Sequence, residues 1–222
     1  MRRDIVTSVI SILLFTLLLG IVYPLAIEGV SQVAFPGNAN GQRIYRDGKL
    51  VGSKIIGQAF MVPVIGKNGR PEEKEKKPVL EADPRYFQSR PSATEPEPYN
   101  AAASTFSNLG PNSTITKEAD EEHIKEYLEL NKPYDSGLTV AKIPVDAVNS
   151  SASGLDPQIS EANARIQAHR IAALRHLSLS KVDALIKKYT SGRGLGFSGE
   201  PGVDVLELNL ALDEIGGAGA GR

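Results

Sequence analysis

Three groupings in this chain have residue types and spacing that bear on chemistry. The histidines are His123, His169 and His176, 3 in all. His169 and His176 lie seven apart on one expected helix, too far to share one ion without bending. Surface or helix-end positions follow, and no metal site is assigned. Gly194-Leu195-Gly196-Phe197-Ser198-Gly199 satisfies G-x-G-x-x-G. A dinucleotide site needs that pattern between a strand and a helix. Here it follows a helical stretch and runs into Glu200-Pro201, so a helix exit fits better. G-x-S-x-G, H-E-x-x-H and G-x-x-x-x-G-K-[ST] do not occur, and no catalytic residue is assigned. The third grouping is Ser151 to Ser160, SASGLDPQIS. Small residues, then Asp156-Pro157, then Ser160 as a helix cap make a rigid turn. Its free amides could accept an anion at the helix N-terminus. Further along that helix Gln167 and Arg170, three apart, can reach one partner together as exposed polar groups. Leu155 and Ile159 are expected to pack inward. A plain loop and cap is the competing reading of these residues.

The elements that would position these groups are mixed. Ser160 caps a helix expected through His176, with Glu161 in its first turn and Ala162, Ile166, Ala173 and Leu177 on one apolar side. A second helix is expected over Ser180–Tyr189, with Val182, Leu185 and Ile186 inward. A third spans Lys117–Leu130, where Ile124, Tyr127 and Leu128 recur at helical spacing. Val140–Val148 alternates like a strand, confined to an edge by Pro144. Val203–Ile215 reads as a short strand and then a turn or helix. Asp47-Gly48, flanked by short alternating runs, is a strong hairpin signal, and Lys54–Phe60 reads as a further strand. Gly66–Asp83 balances basic against acidic residues between Pro71 and Pro78 and reads as a solvated loop or insertion. Tyr86–Pro111 shows no sustained period, and Gly216–Arg222 reads as a disordered tail. Strands and helices without βαβ regularity give the fold class α+β.

Ahead of all this runs Ile5–Ile27, IVTSVISILLFTLLLGIVYPLAI, free of charge. At helical rise it reaches about 34 Å, enough to cross a bilayer as a single transmembrane helix. Its length, and its continuation into Tyr23-Pro24, fit an uncleaved anchor better than a signal peptide. Arg2 and Arg3 precede it and no basic residue follows until Arg43. Residues 1–4 are therefore expected in the cytoplasm and residues 28–215 as an extracytoplasmic domain. Within the span Thr7 and Ser11 share one face; Thr16, Gly20 and Tyr23 lie nearly opposite and suit close helix packing. With no ionisable residue in the span, the helix is expected to tether and dock, and carry no ion itself. Formal net charge is -1, from 25 basic and 26 acidic residues. The lipid bilayer is thus an implied partner and nucleic acid is not. The absence of cysteine excludes disulfides, thiol nucleophiles and Cys-ligated zinc.

Several short stretches follow one another along nearly the whole chain. They are Gly20-x-x-Tyr23-Pro24, Gln32-x-x-Phe35-Pro36, and Gly52-Ser53-x-Ile55-Ile56-Gly57-Gln58-x-Phe60. Tyr86-Phe87-x-x-Arg90-Pro91-Ser92-Ala93 and Ser107-Asn108-Leu109-Gly110-Pro111 come next. Ser153-Gly154-Leu155-Asp156-Pro157-x-Ile159-Ser160, Gln167-x-x-Arg170 and Val205-Leu206-x-Leu208-Asn209-Leu210-Ala211-Leu212-Asp213 complete the set. Together they resemble the C subunit of Kdp-type potassium-transporting P-type ATPases. Thr105-Phe106 stands where that family commonly has a glycine pair, Glu161 replaces a usual proline, and Gly66–Asp83 looks inserted. The resemblance implies a non-catalytic subunit of the plasma membrane that stabilises the pump and raises the ATP affinity of its catalytic subunit. Its implied partners are the channel-like and ATP-hydrolysing subunits; K+ is handled by the complex and not bound by this chain. ATP is the ligand so implied, with Ser153, Gly154, Asp156, Gln158, Gln167 and Arg170 as nucleotide or partner contacts. ATP is cytoplasmic, however, and the topology read from Arg2 and Arg3 places those residues on the other side. A position over the outer mouth of the channel-like subunit suits that topology. The alternative is a free-standing anchored envelope enzyme or solute-binding module, which would need a cleft with convergent titratable groups.

Overall fold

The uncharged stretch forms one long helix in the computed structural model, which describes residues 1–74, 77–105, 108–110 and 112–216. The chain divides into two compact units, Met1–Ser53 and Lys54–Arg222. The expected tail beyond Gly216, and Phe106, Ser107 and Pro111 of the irregular stretch, lie outside the described residues.

In the first unit α1 (Arg2–Leu17) leads through a wider turn at Leu18–Val22 into α2 (Tyr23–Ala34). In that turn Tyr23 N–H donates back five residues, to Leu18 O. Pro24 supplies no N–H, and its ring would crowd the Gly20 carbonyl; widening the helix here relieves that clash. The 33 residues Arg2–Ala34 are long and apolar enough to cross a membrane. The helix continues past Ile27 and ends at Phe35, which leaves the helical region (φ -139, ψ 53). A short α3 (Pro36–Ala39) follows. β1 (Arg43–Arg46) and β2 (Lys49–Ser53) pair antiparallel. Asp47 (φ 49) and Gly48 (φ 75) supply the two left-handed positions that their tight turn requires.

The second unit is a mixture of helix and strand, as expected. β3 (Met61–Pro63) pairs with β6 (Leu80–Ala82), and between them β4 (Glu73–Lys74) pairs with β5 (Lys77–Pro78). After α4 (Thr114–Asn131), β7 (Gln158–Ile159) enters α5 (Glu161–Leu174). α6 (Leu179–Lys188), β8 (Thr190–Ser191), β9 (Gly202–Asp204) and α7 (Val205–Ile215) complete it. The three short strands form an antiparallel sheet in the order β7-β9-β8. Ile159, Ala168, Ile171, Val182, Ile186, Val203, Leu208 and Leu212 close the main core around Phe87. A smaller cluster holds Tyr127, Leu138 and Ala147.

Four expectations change. Lys54–Phe60 is no strand: it turns at once, and Gly57 N–H goes to Leu155 O at 2.8 Å. Val140–Val148 forms two 3-10 turns, Val140–Lys142 and Val145–Ala147, because Pro144 between them can neither donate to a ladder nor continue a helix. The charged stretch is solvated at β4 and β5, but Leu80–Ala82 joins a sheet and Asp83 is buried. Burial pushes the Asp83 carboxyl up, but side-chain and backbone hydrogen bonds from Arg85 outweigh this and hold it below its ordinary value. The apolar side of α5 is also different: Ala162 and Ala173 are exposed, while Ala164, Ala168 and Ile171 are buried beside Asn163, Gln167 and Arg170.

Candidate functional site

Gln167 is 1% and Arg170 0% exposed, so neither is the exposed contact expected from the sequence. They face Tyr86-Phe87-Gln88, which passes between α5 and α7. Gln88 N–H donates to Gln167 Oε1 at 2.7 Å, and Gln167 Nε2 returns to Gln88 O at 3.0 Å. From α7, Asn209 does the same to the neighbouring peptide: Phe87 N–H to Oδ1 and Nδ2 to Phe87 O, both 2.9 Å. Two side-chain amides thus stand in for the strands that this buried segment lacks. Arg170 Nη2 donates to Tyr86 O and Gln167 Oε1, and Nη1 to Asn131 Oδ1 of α4. Burial lowers the Arg170 guanidinium to about 10, still charged at physiological pH. Asn163 extends the network, accepting from Tyr127 Oη and Gln167 Nε2, each at 2.9 Å.

The Ser153–Asp156 turn is likewise spoken for. Ser104 and Thr105 donate to Ser153 O, Ser92 Oγ to Gly154 O at 2.7 Å, and Gly57 N–H to Leu155 O. Asp156 accepts from Arg90 Nη1 at 3.2 Å and from Gln158 N–H at 3.0 Å. Gly154 has φ 68, and a Cβ there would sit 2.8 Å from Thr94 and 2.9 Å from Thr105 O. Only glycine fits that crossing. Gln158 lies across Gly202, whose Cβ would meet Gln158 Oε1 at 2.6 Å. At the α5 N-terminus, Ser160 Oγ takes Asn163 N–H as a cap. The anion there is the chain's own: Asp146 accepts from Ser160 N–H, Ser160 Oγ and Asn163 Nδ2.

A cleft of about 670 Å³ adjoins the network, lined by Asn163 and Gln167 of α5, His123 and Tyr127 of α4, and Leu80 and Arg90. His123 Nδ1 lies 2.7 Å from Val148 O, which can only accept, so Nδ1 carries the proton. His169 and His176 are exposed on α5 and just past it. Among the described residues no cluster of metal-ligating side chains forms. On the long helix, Thr16 and Gly20 line one shallow groove together with Ser11, expected on another face, and Tyr23 is not part of it.

The sequence marks none of Asp146, Asn163 and Asn131, and Tyr127 only as part of the apolar face of its helix. Asn209 carried a readable signal, a lone amide inside Leu208-Asn209-Leu210 on an otherwise apolar helix face. Asp146 lay in a stretch that reads as a strand, which concealed its role.

Residues 5–214 match the family described as KdpC, K+-transporting ATPase, c chain. A potassium-transporting ATPase KdpC subunit of Methylococcus capsulatus is 45% identical over 208 residues, covering 94% of this chain and 96% of that one. The subunit of the same name from Mycobacterium bovis is 43% identical over 216 residues, 97% of this chain and 100% of that one. That from Dechloromonas aromatica is 44% identical over 202 residues, 91% and 92% of the two chains.

Proposed function

Because the chain belongs to the KdpC family of K+-transporting ATPase c chains, we propose that it is the anchored, non-catalytic accessory subunit of that potassium pump. Its long helix inserts beside other membrane helices, and the residues beyond it lie on the outer side, over the channel-like subunit. The observation that carries this reading is the pairing of an apolar helix, unburied along its length, with a second unit whose polar side chains hold its own segments together. Such a unit serves as a rigid block for assembly, stabilising its partners by mass action on binding.

The residues from Ser153 to Arg170 do not fit a bound triphosphate. The Asp146 carboxylate fills the anion position at the start of α5 and would repel phosphate. Gln167 and Arg170 are committed to Gln88, Tyr86 and Asn131. On this reading, ATP and K+ are left to the other subunits, and any effect on ATP affinity passes through the assembled complex. Nothing favours a free-standing enzyme or solute-binding module.

The test is a pull-down of the tagged chain from native membranes in mild detergent. Co-purification of an ATP-hydrolysing and a channel-like subunit is expected. A monodisperse monomer would overturn the reading.

A further inference from the structure

The run that satisfies G-x-G-x-x-G forms the tip of a hairpin. Gly194 N–H donates to Ser198 O at 2.7 Å, and Ser198 N–H returns to Gly194 O at 2.8 Å. Outside that pair, Arg193 Nη2 reaches both carboxylate oxygens of Glu200, at 2.9 and 2.7 Å. Between them Leu195 (φ 53) and Gly196 (φ 82) are both left-handed, a conformation that leucine rarely adopts. The outcome is two large apolar side chains held out in water: Leu195 is 90% and Phe197 75% exposed. Among the described residues after Phe35, no other large apolar side chain is as exposed as either.

We propose that this tip is a docking knob whose Leu195 and Phe197 seat in an apolar pocket on another protein subunit of the pump. The proposal rests on the subunit reading above. The reciprocal backbone pair shapes the tip before any partner arrives, which lowers the ordering cost of binding. An adjacent aromatic and aliphatic pair on a convex turn has the shape of an interface anchor. Glu200 neutralises Arg193, so the tip lacks the free cationic collar with which a lipid-inserting loop meets anionic headgroups. This favours a protein pocket over the bilayer.

The test places Leu195→Ser and Phe197→Ser separately in the full chain, expressed with the rest of the pump. Each is expected to weaken retention of the chain in the complex about tenfold or more. The melting curve should stay at wild type, since neither side chain enters the core, and Phe197→Met should retain binding. A photoreactive benzophenone side chain at position 197 should give, on irradiation of native membranes, an adduct with another pump subunit. Unchanged retention in both serine variants, or an adduct with phospholipid alone or with nothing, would overturn the knob while leaving the subunit reading in place. A wild-type chain that never co-purifies would remove both.

Discussion

Arg170 joins segments far apart in sequence, since its guanidinium reaches Tyr86 O, Asn131 Oδ1 and Gln167 Oε1 from the middle of α5. A buried cation held through Nη1 and Nη2 by neutral oxygens, its Nε without a partner, is costly to disturb, because truncation leaves several acceptors without donors. Arg170→Ala and Gln167→Ala are each expected to destabilise the chain by about 2–4 kcal/mol. Thermal melting in detergent would read this as a clear drop, and activity of the assembled pump should fall only with the loss of folded chain. Arg170→Lys should fall between, since an ammonium cannot span two partners as a planar fork does. Wild-type melting with a selective loss of pump activity would restore these residues to a contact surface. The identities of Gln167 and Arg170 were legible as a pair three apart on one helix, but their burial was not. It depends on Tyr86-Phe87-Gln88, some eighty residues upstream, passing across α5, and no local period records that crossing.

Elements with their own punctuation were read well, and those held by distant partners were not. Ser160 caps α5, and Asp47-Gly48 turns its hairpin. α6 starts one residue before its expected start, on the cap that Ser178 provides to Lys181 N–H. β7 and β8, of two residues each, are too short to show alternation and exist only because β9 lies between them. β9 ends at Asp204, which caps α7 by accepting Glu207 N–H at 2.8 Å. Burial raises the Asp204 carboxyl, the Glu207 N–H bond lowers it, the Glu207 charge raises it again and Lys54 opposes, leaving it at about 6. The folded state therefore holds this proton more tightly than the unfolded chain, whose ordinary value is 3.8. That stabilisation is complete below the unfolded value and is lost as pH rises through about 6. Asp204→Asn keeps an oxygen for the cap without the charge. It should flatten the pH dependence of the melting temperature between about pH 4 and pH 7 and raise stability at the upper end by the order of 1–2 kcal/mol. A pH profile identical to wild type would show that Asp204 titrates elsewhere.

At the scale of the whole molecule, the charges flanking the long apolar helix predict its direction in a bilayer. The apolar stretch has sharp polar edges. Arg2 and Arg3 stand before it, and beyond it Gln32 Nε2 donates to Glu28 Oε1 at 2.7 Å while Asn40 Nδ2 donates to Gln32 Oε1 at 3.0 Å. The uncharged part thus lies between Asp4 and Glu28, although the helix itself continues to Ala34. Its span of about 34 Å matches a hydrocarbon core of about 30 Å with slight tilt. Basic residues resist translocation and acidic ones matter little, so Arg2 and Arg3 should hold their end in the cytoplasm against a far side with no basic residue before Arg43. A reporter active only outside the cytoplasm, fused after Arg222, should therefore be active, and a cytoplasm-dependent reporter at the same place silent. The double change Arg2→Glu and Arg3→Glu should remove the bias and give both orientations in comparable amounts. If the wild-type fusion worked only in the cytoplasm, the second unit would face the ATP pool. The Asp146 carboxylate at the α5 N-terminus and the commitment of Gln167 and Arg170 to Gln88, Tyr86 and Asn131 would then be what stands against nucleotide there.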